Sequence, residues 1–272
     1  MQYLAGIDLG TSGAKLSLTS VGGSVTYGAT VSYPFFSRFP GWAEQDPEDW
    51  WNAVCRGMHR LLTEHNVLAT DVRGVGFSGQ MHGLVILDAE KNVIAPAILH
   101  CDARAGEEKN VVSREELIEW GILNPAFSGF QMTSLLWLKK HKPQEFKRIR
   151  YVLSPKDYVR YRLTGELGTE WTDASATLLF DVEHRCWSSP MLERIGLDPA
   201  VLSPVSGPCD LCGTVTVAAA KEIGLAKGTP VSFGGADQPM QALGNGVLVP
   251  GEMTCTVGSG GQYVLKTRKP CV

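Results

Sequence analysis

The stretch Tyr3-Leu4-Ala5-Gly6-Ile7-Asp8-Leu9-Gly10-Thr11-Ser12-Gly13-Ala14-Lys15-Leu16-Ser17-Leu18 decides the fold. Tyr3 to Ile7 is a short apolar run and reads as a buried strand. Asp8 closes it. Gly10 and Gly13 flank Thr11 and Ser12 in a turn that needs small residues and permissive backbone angles. Ala14 to Thr19 alternates apolar and polar residues, as a half-buried second strand does. The unit is strand, glycine-rich turn, strand, with a carboxylate and two hydroxyls at its tip. Backbone N–H groups opened by such a turn form an anion-binding concavity. Asp8 repels phosphate but can hold Mg²⁺, which then meets the phosphates. A Walker loop is excluded, because Lys15 follows Ala14 rather than Gly. A dinucleotide fingerprint is excluded, because its third Gly is missing and a strand follows instead of a helix. An ordinary tight hairpin is the competing reading of these residues alone.

Working outward, 272 residues suit a large α/β unit, and 44% hydrophobic content supports a substantial core. A net charge of −3 gives no basic footprint for nucleic acid. No run of about 18 apolar residues predicts a membrane span. The chain opens on a strand without a charged-then-apolar leader, so the expectation is a cytoplasmic protein without a secretory signal. Seven scattered cysteines, an odd number, read as free thiols in a reducing compartment. Cys209 and Cys212 form a lone C-x-x-C with no second pair close by to complete a zinc site.

Ser24 to Val31 predicts a third strand. Asp46-Pro47-Glu48-Asp49 starts a helix, with a capping Asp, Pro at the first position and acids in the first turn. Trp50, Val54, Met58, Leu61 and Leu62 follow at helical spacing as a core-facing stripe. Val72 to Phe77 predicts a strand running into Ser78-Gly79-Gln80-Met81-His82-Gly83, where His82 is either a ligand contact or a satisfied core histidine. Leu84 to Leu87 and Val93 to Ile98 read as a hairpin delivering His100-Cys101-Asp102-Ala103-Arg104. Asp102 and Arg104 lie at a strand end, where polar groups serve ligands in α/β folds; Asp102 as a plain helix cap is the alternative. Residues 113–162 read as mostly helical, Thr172 to Ser175 as a polar turn, Pro199 to Thr216 as a loop, and Val217 to Ile223 as a helix closed by Gly224. The apolar run Pro230 to Phe233 leads into Gly234-Gly235-Ala236-Asp237, with Pro239 at the first position of the next helix. The dipole at that helix start favours an ionised Asp237, suited to accepting a proton; a helix-entry Asp with no other task is the alternative. Glu252 to Val257, the turn Gly258-Ser259-Gly260-Gly261, and Gln262 to Leu265 repeat the opening strand–turn–strand pattern.

Together Gly6-Ile7-Asp8-Leu9-Gly10-Thr11-Ser12, Glu44-Gln45-Asp46-Pro47, Gly79-Gln80-Met81-His82-Gly83, Asp102 with Arg104, Pro155-Lys156-Asp157-Tyr158 and Gly234-Gly235-Ala236-Asp237 resemble the FGGY carbohydrate kinases, in order and over essentially the whole chain. Met81-His82-Gly83 most resembles the xylulokinase-like members. The resemblance implies an α/β, ribonuclease H-like fold of the actin, sugar kinase and heat-shock ATPase superfamily, with a mixed sheet flanked by helices. It implies ATP-dependent phosphorylation of a sugar hydroxyl, with D-xylulose the leading substrate and gluconate or another ketose or polyol the alternative. ATP and Mg²⁺ are the implied cofactors. The implied roles are catalytic base for Asp237, metal ligand for Asp8, sugar contacts for Met81, His82, Asp102, Arg104, Asp237 and Gln238, and phosphate contacts for Gly10, Thr11, Ser12, Lys15, Gly258 and Ser259.

Three departures stand out. His100 replaces the family's Trp in Trp-x-Asp-x-Arg, Gln238 replaces an Asn, and Gly258-Ser259-Gly260 replaces Gly-Thr-Ser. Family members are also roughly twice as long. Residues 1–265 therefore correspond to the N-terminal sugar-binding and catalytic domain, and residues 266–272 to the start of a linker towards a missing C-terminal nucleotide-binding domain. On its own such a chain is expected to bind ATP weakly and to turn over little. A small-molecule sugar and that missing domain are the implied partners. A homodimer is left open, and neither nucleic acid nor membrane is implied.

Overall fold

A computed structural model describes residues 1–257 and 261–270. β1 (Tyr3–Leu9) and β2 (Gly13–Ser20) form the expected antiparallel hairpin, in register from Tyr3 opposite Ser20 to Leu9 opposite Ala14. β3 (Thr26–Ser32) pairs antiparallel with β2. Side chains alternate across a strand, so Tyr3, Ala5, Ile7, Leu9, Ala14, Leu16 and Leu18 are buried on one face. Leu4, Asp8 and Lys15 take the other, more open face. α1 (Pro47–Glu64) covers the buried face. Asp46 caps it by accepting from the Glu48 N–H, Pro47 opens its first turn, and Trp50, Val54, Met58 and Leu61 are fully buried along its inner stripe.

β4 (Val72–Gly79) runs parallel to β1. A second hydrophobic cluster follows, built from residues between Leu84 and Leu202. It takes Ile86 of β5 (Val85–Leu87), the apolar side chains of α2 (Gln131–His141) and Val152 of β6 (Tyr151–Leu153); β5 and β6 are antiparallel, and Val85, Leu87 and Leu153 belong to the first core. α3 (Pro155–Thr164) begins at a proline and stops at Gly165, which takes φ +79°. α4 (Trp171–Ser175), β7 (Leu211–Thr214), α5 (Val217–Ile223), β8 (Pro230–Ser232), β9 (Gly235–Ala236) and α6 (Asp237–Gly244) complete the main unit. The seven-stranded mixed sheet has the order β7-β8-β4-β1-β2-β3, and β9 pairs with β4 beyond the end of β8. α1, α3 and α5 share the core under this sheet. β10 (Met253–Val257) and β11 (Gly261–Leu265) pair only with each other among the described residues.

The structure departs from the sequence reading at four places. Thr172 to Ser175 is helical, because the buried Glu170 side chain accepts from the Thr172 and Asp173 N–H groups and caps α4. The segment 199–216 contains β7, a sheet edge whose register shifts between Leu211 and Gly213 against β8. β5 takes β6 as its ladder partner, a pairing absent from the sequence reading, while the expected hairpin with residues 93–98 forms through antiparallel bridges at Leu87–Val93 and Leu84–Ile98. α6 begins at Asp237 rather than at Pro239.

The turn into α6 depends on Gly234. Its φ of +73° belongs to the left-handed region, and an added Cβ would sit 2.2 Å from the Phe77 carbonyl oxygen. Gly228 has a similar φ of +85° with nothing within 4 Å of an added Cβ. Gly228→Ala therefore carries backbone strain alone, about 1–2 kcal/mol. Gly234→Ala carries a backbone collision as well, about 1–3 kcal/mol more. Urea unfolding of the two variants checks this; equal losses would contradict the stated packing.

Candidate active site

Sheet register brings the two acidic candidates together. Ser78 of β4 lies opposite Asp8 of β1 on one side and opposite Gly235 of β9 on the other. Adjacent strands are about 4.8 Å apart, so the chain leaving β9 emerges on the rim that carries Asp8. A cavity of about 390 Å³ opens there, lined by Asp8, Gly10, Lys15, Ser78, Asp237, Gln238, Met240 and Gln241. A larger, mainly apolar cavity of about 580 Å³ lies alongside and shares Asp8, Lys15, Ser78 and Met240.

The glycine-rich turn after β1 is held from behind. The Gly10 N–H donates to the Gly13 carbonyl at 3.2 Å, and the Tyr33 hydroxyl donates to the Gly10 carbonyl. Gln45 Nε2 donates to the Thr11 carbonyl at 2.7 Å and to the Pro34 carbonyl at 3.2 Å, while the Trp50 indole donates to Gln45 Oε1 at 3.0 Å. Burial and the nearby Asp8 charge raise the Tyr33 pKa well above the ordinary phenol value, so Tyr33 stays a donor. The carbonyls of Gly10 and Thr11 are thus tied into the protein. Thr11 is half-buried and Ser12 is exposed at the tip. Lys15 Nζ stands 3.8 Å from Asp8 Oδ2 and is largely exposed, so this contact alone adds little stability.

Asp237 is the first residue of α6. Burial pushes its carboxyl up to about 6, assisted by the charge of Asp8 and opposed by hydrogen bonding from Gln238 and by Lys15. Burial thus works against the ionised form that the helix start was expected to favour. Gln238 Oε1 is buried without a hydrogen-bond partner among the described residues. An acceptor left open beside two carboxylates fits a ligand that brings donors. Among the described residues no three His, Cys, Asp or Glu side chains gather as a metal cluster. The two carboxylates on one cavity nonetheless suit Mg²⁺, which takes one or two carboxylates and fills its shell with water and phosphate oxygens.

Met81 and His82 sit half-buried on the turn after β4. His82 takes φ +68°, its Nδ1 lies 2.7 Å from the Ala176 carbonyl oxygen, and its ring lies 4.2 Å from that of Phe130. Burial lowers its pKa despite that hydrogen bond. A neutral imidazole must then donate from Nδ1 to the carbonyl, which leaves Nε2 as an acceptor.

Asp102 and Arg104 lie elsewhere. Asp102 is buried; Oδ2 accepts from the Ala43 N–H at 2.6 Å and from Arg104 Nη2 at 2.7 Å, and Oδ1 from the Arg104 N–H and Nε. Arg104 also bonds Glu44 at 2.9 Å and stacks on Trp42 at 3.6 Å. Arg104 lines a separate cleft of about 120 Å³ with Trp42, Glu44 and Trp137. Both oxygens of Asp102 are already engaged, and neither Asp102 nor Arg104 lines the Asp8 and Asp237 cavity. Gly258 and Ser259 lie outside the described residues. The strands flanking them do form the hairpin read from the sequence, and Thr256 Oγ1 donates to Gln241 Oε1 of α6 at 3.1 Å. Cys209 is exposed, whereas Cys212 Sγ accepts from Arg160 Nε at 3.1 Å.

This chain belongs to the FGGY family of carbohydrate kinases; it matches the N-terminal domain of that family over residues 3–244. It is 37% identical over 265 residues to the xylulose kinase of Bacillus subtilis (strain 168), which covers 96% of this chain and 53% of that protein. It is likewise 37% identical over 262 residues to the xylulose kinase of Escherichia coli (strain K12), covering 95% and 53%. A crystal structure of a xyloylose kinase from Brucella ovis superposes with a TM-score of 0.91 at 32% identity, covering 96% of this chain and 54% of that one. The fold is therefore the ribonuclease H-like mixed sheet of the sugar kinases. The chain spans about half the length of the relatives it matches. No described helix is long and apolar enough to cross a membrane.

The raised Asp237 pKa has a consequence for stability. The folded state holds the proton up to about pH 6, whereas an unfolded Asp releases it near pH 4. Stability from this group is present below the unfolded value and is lost as pH rises through the folded value. Asp237→Asn removes that loss. The variant should match the wild type near pH 4 and exceed it by about 1–2 kcal/mol at pH 8, after discounting for partial exposure. Urea unfolding at the two pH values reads the difference; a pH-independent gap would contradict the assignment.

Proposed function

We propose that this chain is the sugar-binding and catalytic half of an ATP-dependent sugar kinase, with D-xylulose as substrate and D-xylulose 5-phosphate as product. The observation that carries the proposal is the single cavity shared by Asp8, Gly10, Lys15, Asp237 and Gln238. The xylulose kinases among its relatives favour the ketose over gluconate or a polyol. Asp237 orients the sugar hydroxyl and accepts its proton as that oxygen bonds to the transferred phosphoryl group. A carboxyl near 6 is mostly ionised at neutral pH and close enough to neutrality for efficient proton transfer. Phosphoryl transfer has a loose transition state, so positioning and charge neutralisation carry most of the catalysis. Lys15 and the N–H groups of Thr11 and Ser12 serve the phosphates beside Gly10, whose own N–H stays on the Gly13 carbonyl, and Asp8 holds the metal. ATP supplies the phosphoryl group, and Mg²⁺ neutralises the phosphate charge.

Gln238 offers its open Oε1 to a sugar hydroxyl, and His82 offers Nε2 to another, with Met81 packing beside it. The hairpin around Gly258 and Ser259 is the second phosphate contact. Residues 1–265 form the N-terminal domain in this reading, residues 266–272 lead towards a nucleotide-binding domain, and the protein works in the cytoplasm. The proposal requires no homodimer.

Asp237→Asn in the complete protein should lower turnover with D-xylulose by about two to four orders of magnitude, the usual contribution of a positioned base. Steady-state kinetics over a panel of D-xylulose, gluconate, other ketoses and polyols checks both parts. Near-normal turnover in the variant would remove Asp237 from the chemistry, and a preference for gluconate or a polyol would replace the ketose assignment.

A further inference from the structure

Asp237 is held from behind by residues that stay out of the cavity. Thr172, in the first turn of α4, accepts a hydrogen bond at 2.8 Å from the N–H of Ala236, the residue just before Asp237. The Thr172 hydroxyl proton points the other way, towards Glu170 Oε1 and Oε2 at 2.8 and 2.9 Å. Glu170 is itself fully buried and caps α4. Behind it, Lys156 Nζ lies 3.5 Å from Glu170 Oε1, 2.8 Å from Asp157 Oδ1 and 2.9 Å from Asp173 Oδ2. Arg160 pairs with Asp157 as well. On the upstream side of the same turn, Lys156 Nζ and Arg160 Nη1 approach the Phe233 carbonyl oxygen at 3.5 and 3.4 Å. The turn from Phe233 to Ala236 is thus tied at both ends to one buried cluster of three carboxylates and two cations.

We propose that Thr172 is a positioning residue for Asp237: its hydroxyl, oriented by Glu170, fixes the backbone from which the proton-accepting carboxylate projects. The inference rests on the role given to Asp237 above. A hydroxyl is required because the group must accept from Ala236 and donate to Glu170 at once. Serine meets that requirement and valine does not. The same short helix braces the other side of the proposed sugar site, because the Ala176 carbonyl just past its end takes His82 Nδ1.

The test compares the wild type, Thr172→Val and Thr172→Ser in the complete protein. Two quantities are measured: amide hydrogen exchange at Ala236 relative to the amides of α1, and kcat with KM for ATP and D-xylulose. Thr172→Val should speed exchange at Ala236 about tenfold, as loss of one hydrogen bond does, with α1 unchanged. It should lower kcat about ten- to a hundredfold, as a displaced catalytic group does, with KM for ATP within about twofold. Thr172→Ser should restore both. Unchanged exchange at Ala236 in the valine variant overturns the proposal. So does wild-type turnover alongside faster exchange, or a loss that serine fails to restore. If the wild type phosphorylates no sugar, the kinase reading fails on its own, and the exchange measurement still decides whether Thr172 holds the turn.

Discussion

The pairing of β4 with β1 on one side and β9 on the other is the constraint from which the site follows. Ser78 stands between Asp8 and Gly235, so two segments more than two hundred residues apart end on one rim. The hydrophobic core sets that register. Ile7 and Leu9 are buried against the helices, and Asp8 between them faces the open side. A slip of one residue would turn Ile7 outward and carry an ionised carboxylate into the core. The apolar pattern that folds the sheet is therefore the same pattern that aims the carboxylate.

Beneath that rim the protein accepts an expensive arrangement. Lys156, Asp157, Arg160, Glu170 and Asp173 are all buried. Burial opposes the charge on Lys156, yet Asp157, Asp173 and Glu170 hold its pKa above the ordinary value. Burial, with Asp157 and Glu170, pushes Asp173 up to about 7 against the pull of Lys156. Buried ion pairs seldom repay their desolvation in stability, and breaking one strands its partner. Here the cluster has a geometric product. It grips the glycine turn before Asp237 at Phe233 and at Ala236, so the carboxylate is delivered by backbone anchored on a rigid block. Fixing a reacting group in this way lowers the entropic part of a phosphoryl-transfer barrier.

Much of this was legible in the chain itself. The alternation in Ala14 to Thr19, the Asp46-Pro47 helix start, the stripe from Trp50 to Leu62 and the glycine turns before and after the central strands each carry a local signal, and each appears as read. What the chain concealed was settled by burial and by partners, several of them far away in sequence. Thr172 to Ser175 contains turn-forming residues, and only the buried Glu170 makes them a helix. β7 is exposed at Leu211, contains a glycine, and is a strand because β8 runs beside it. Asp102 and Arg104 look like a ligand pair from their spacing. Ala43 and Glu44, about sixty positions away, bond Asp102 and Arg104 respectively, Trp42 stacks on the guanidinium, and Arg104 itself takes the rest of Asp102. Gln45 and Tyr33 gave no local hint that they tie back the phosphate turn, and Lys156 gave none that its charge would be fully buried.

The central claim is that Asp8 and Asp237 act on one reacting centre. It is tested most directly by a structure of the complete protein with D-xylulose, Mg²⁺ and a non-hydrolysable ATP analogue. The account predicts a sugar hydroxyl about 2.6–3.2 Å from the Asp237 carboxylate, hydrogen-bonding reach for a general base. It also predicts the metal beside Asp8 and the phosphates over Gly10 to Ser12. A sugar seated instead in the cleft of Trp42, Arg104 and Trp137, with Asp237 facing solvent, would contradict it.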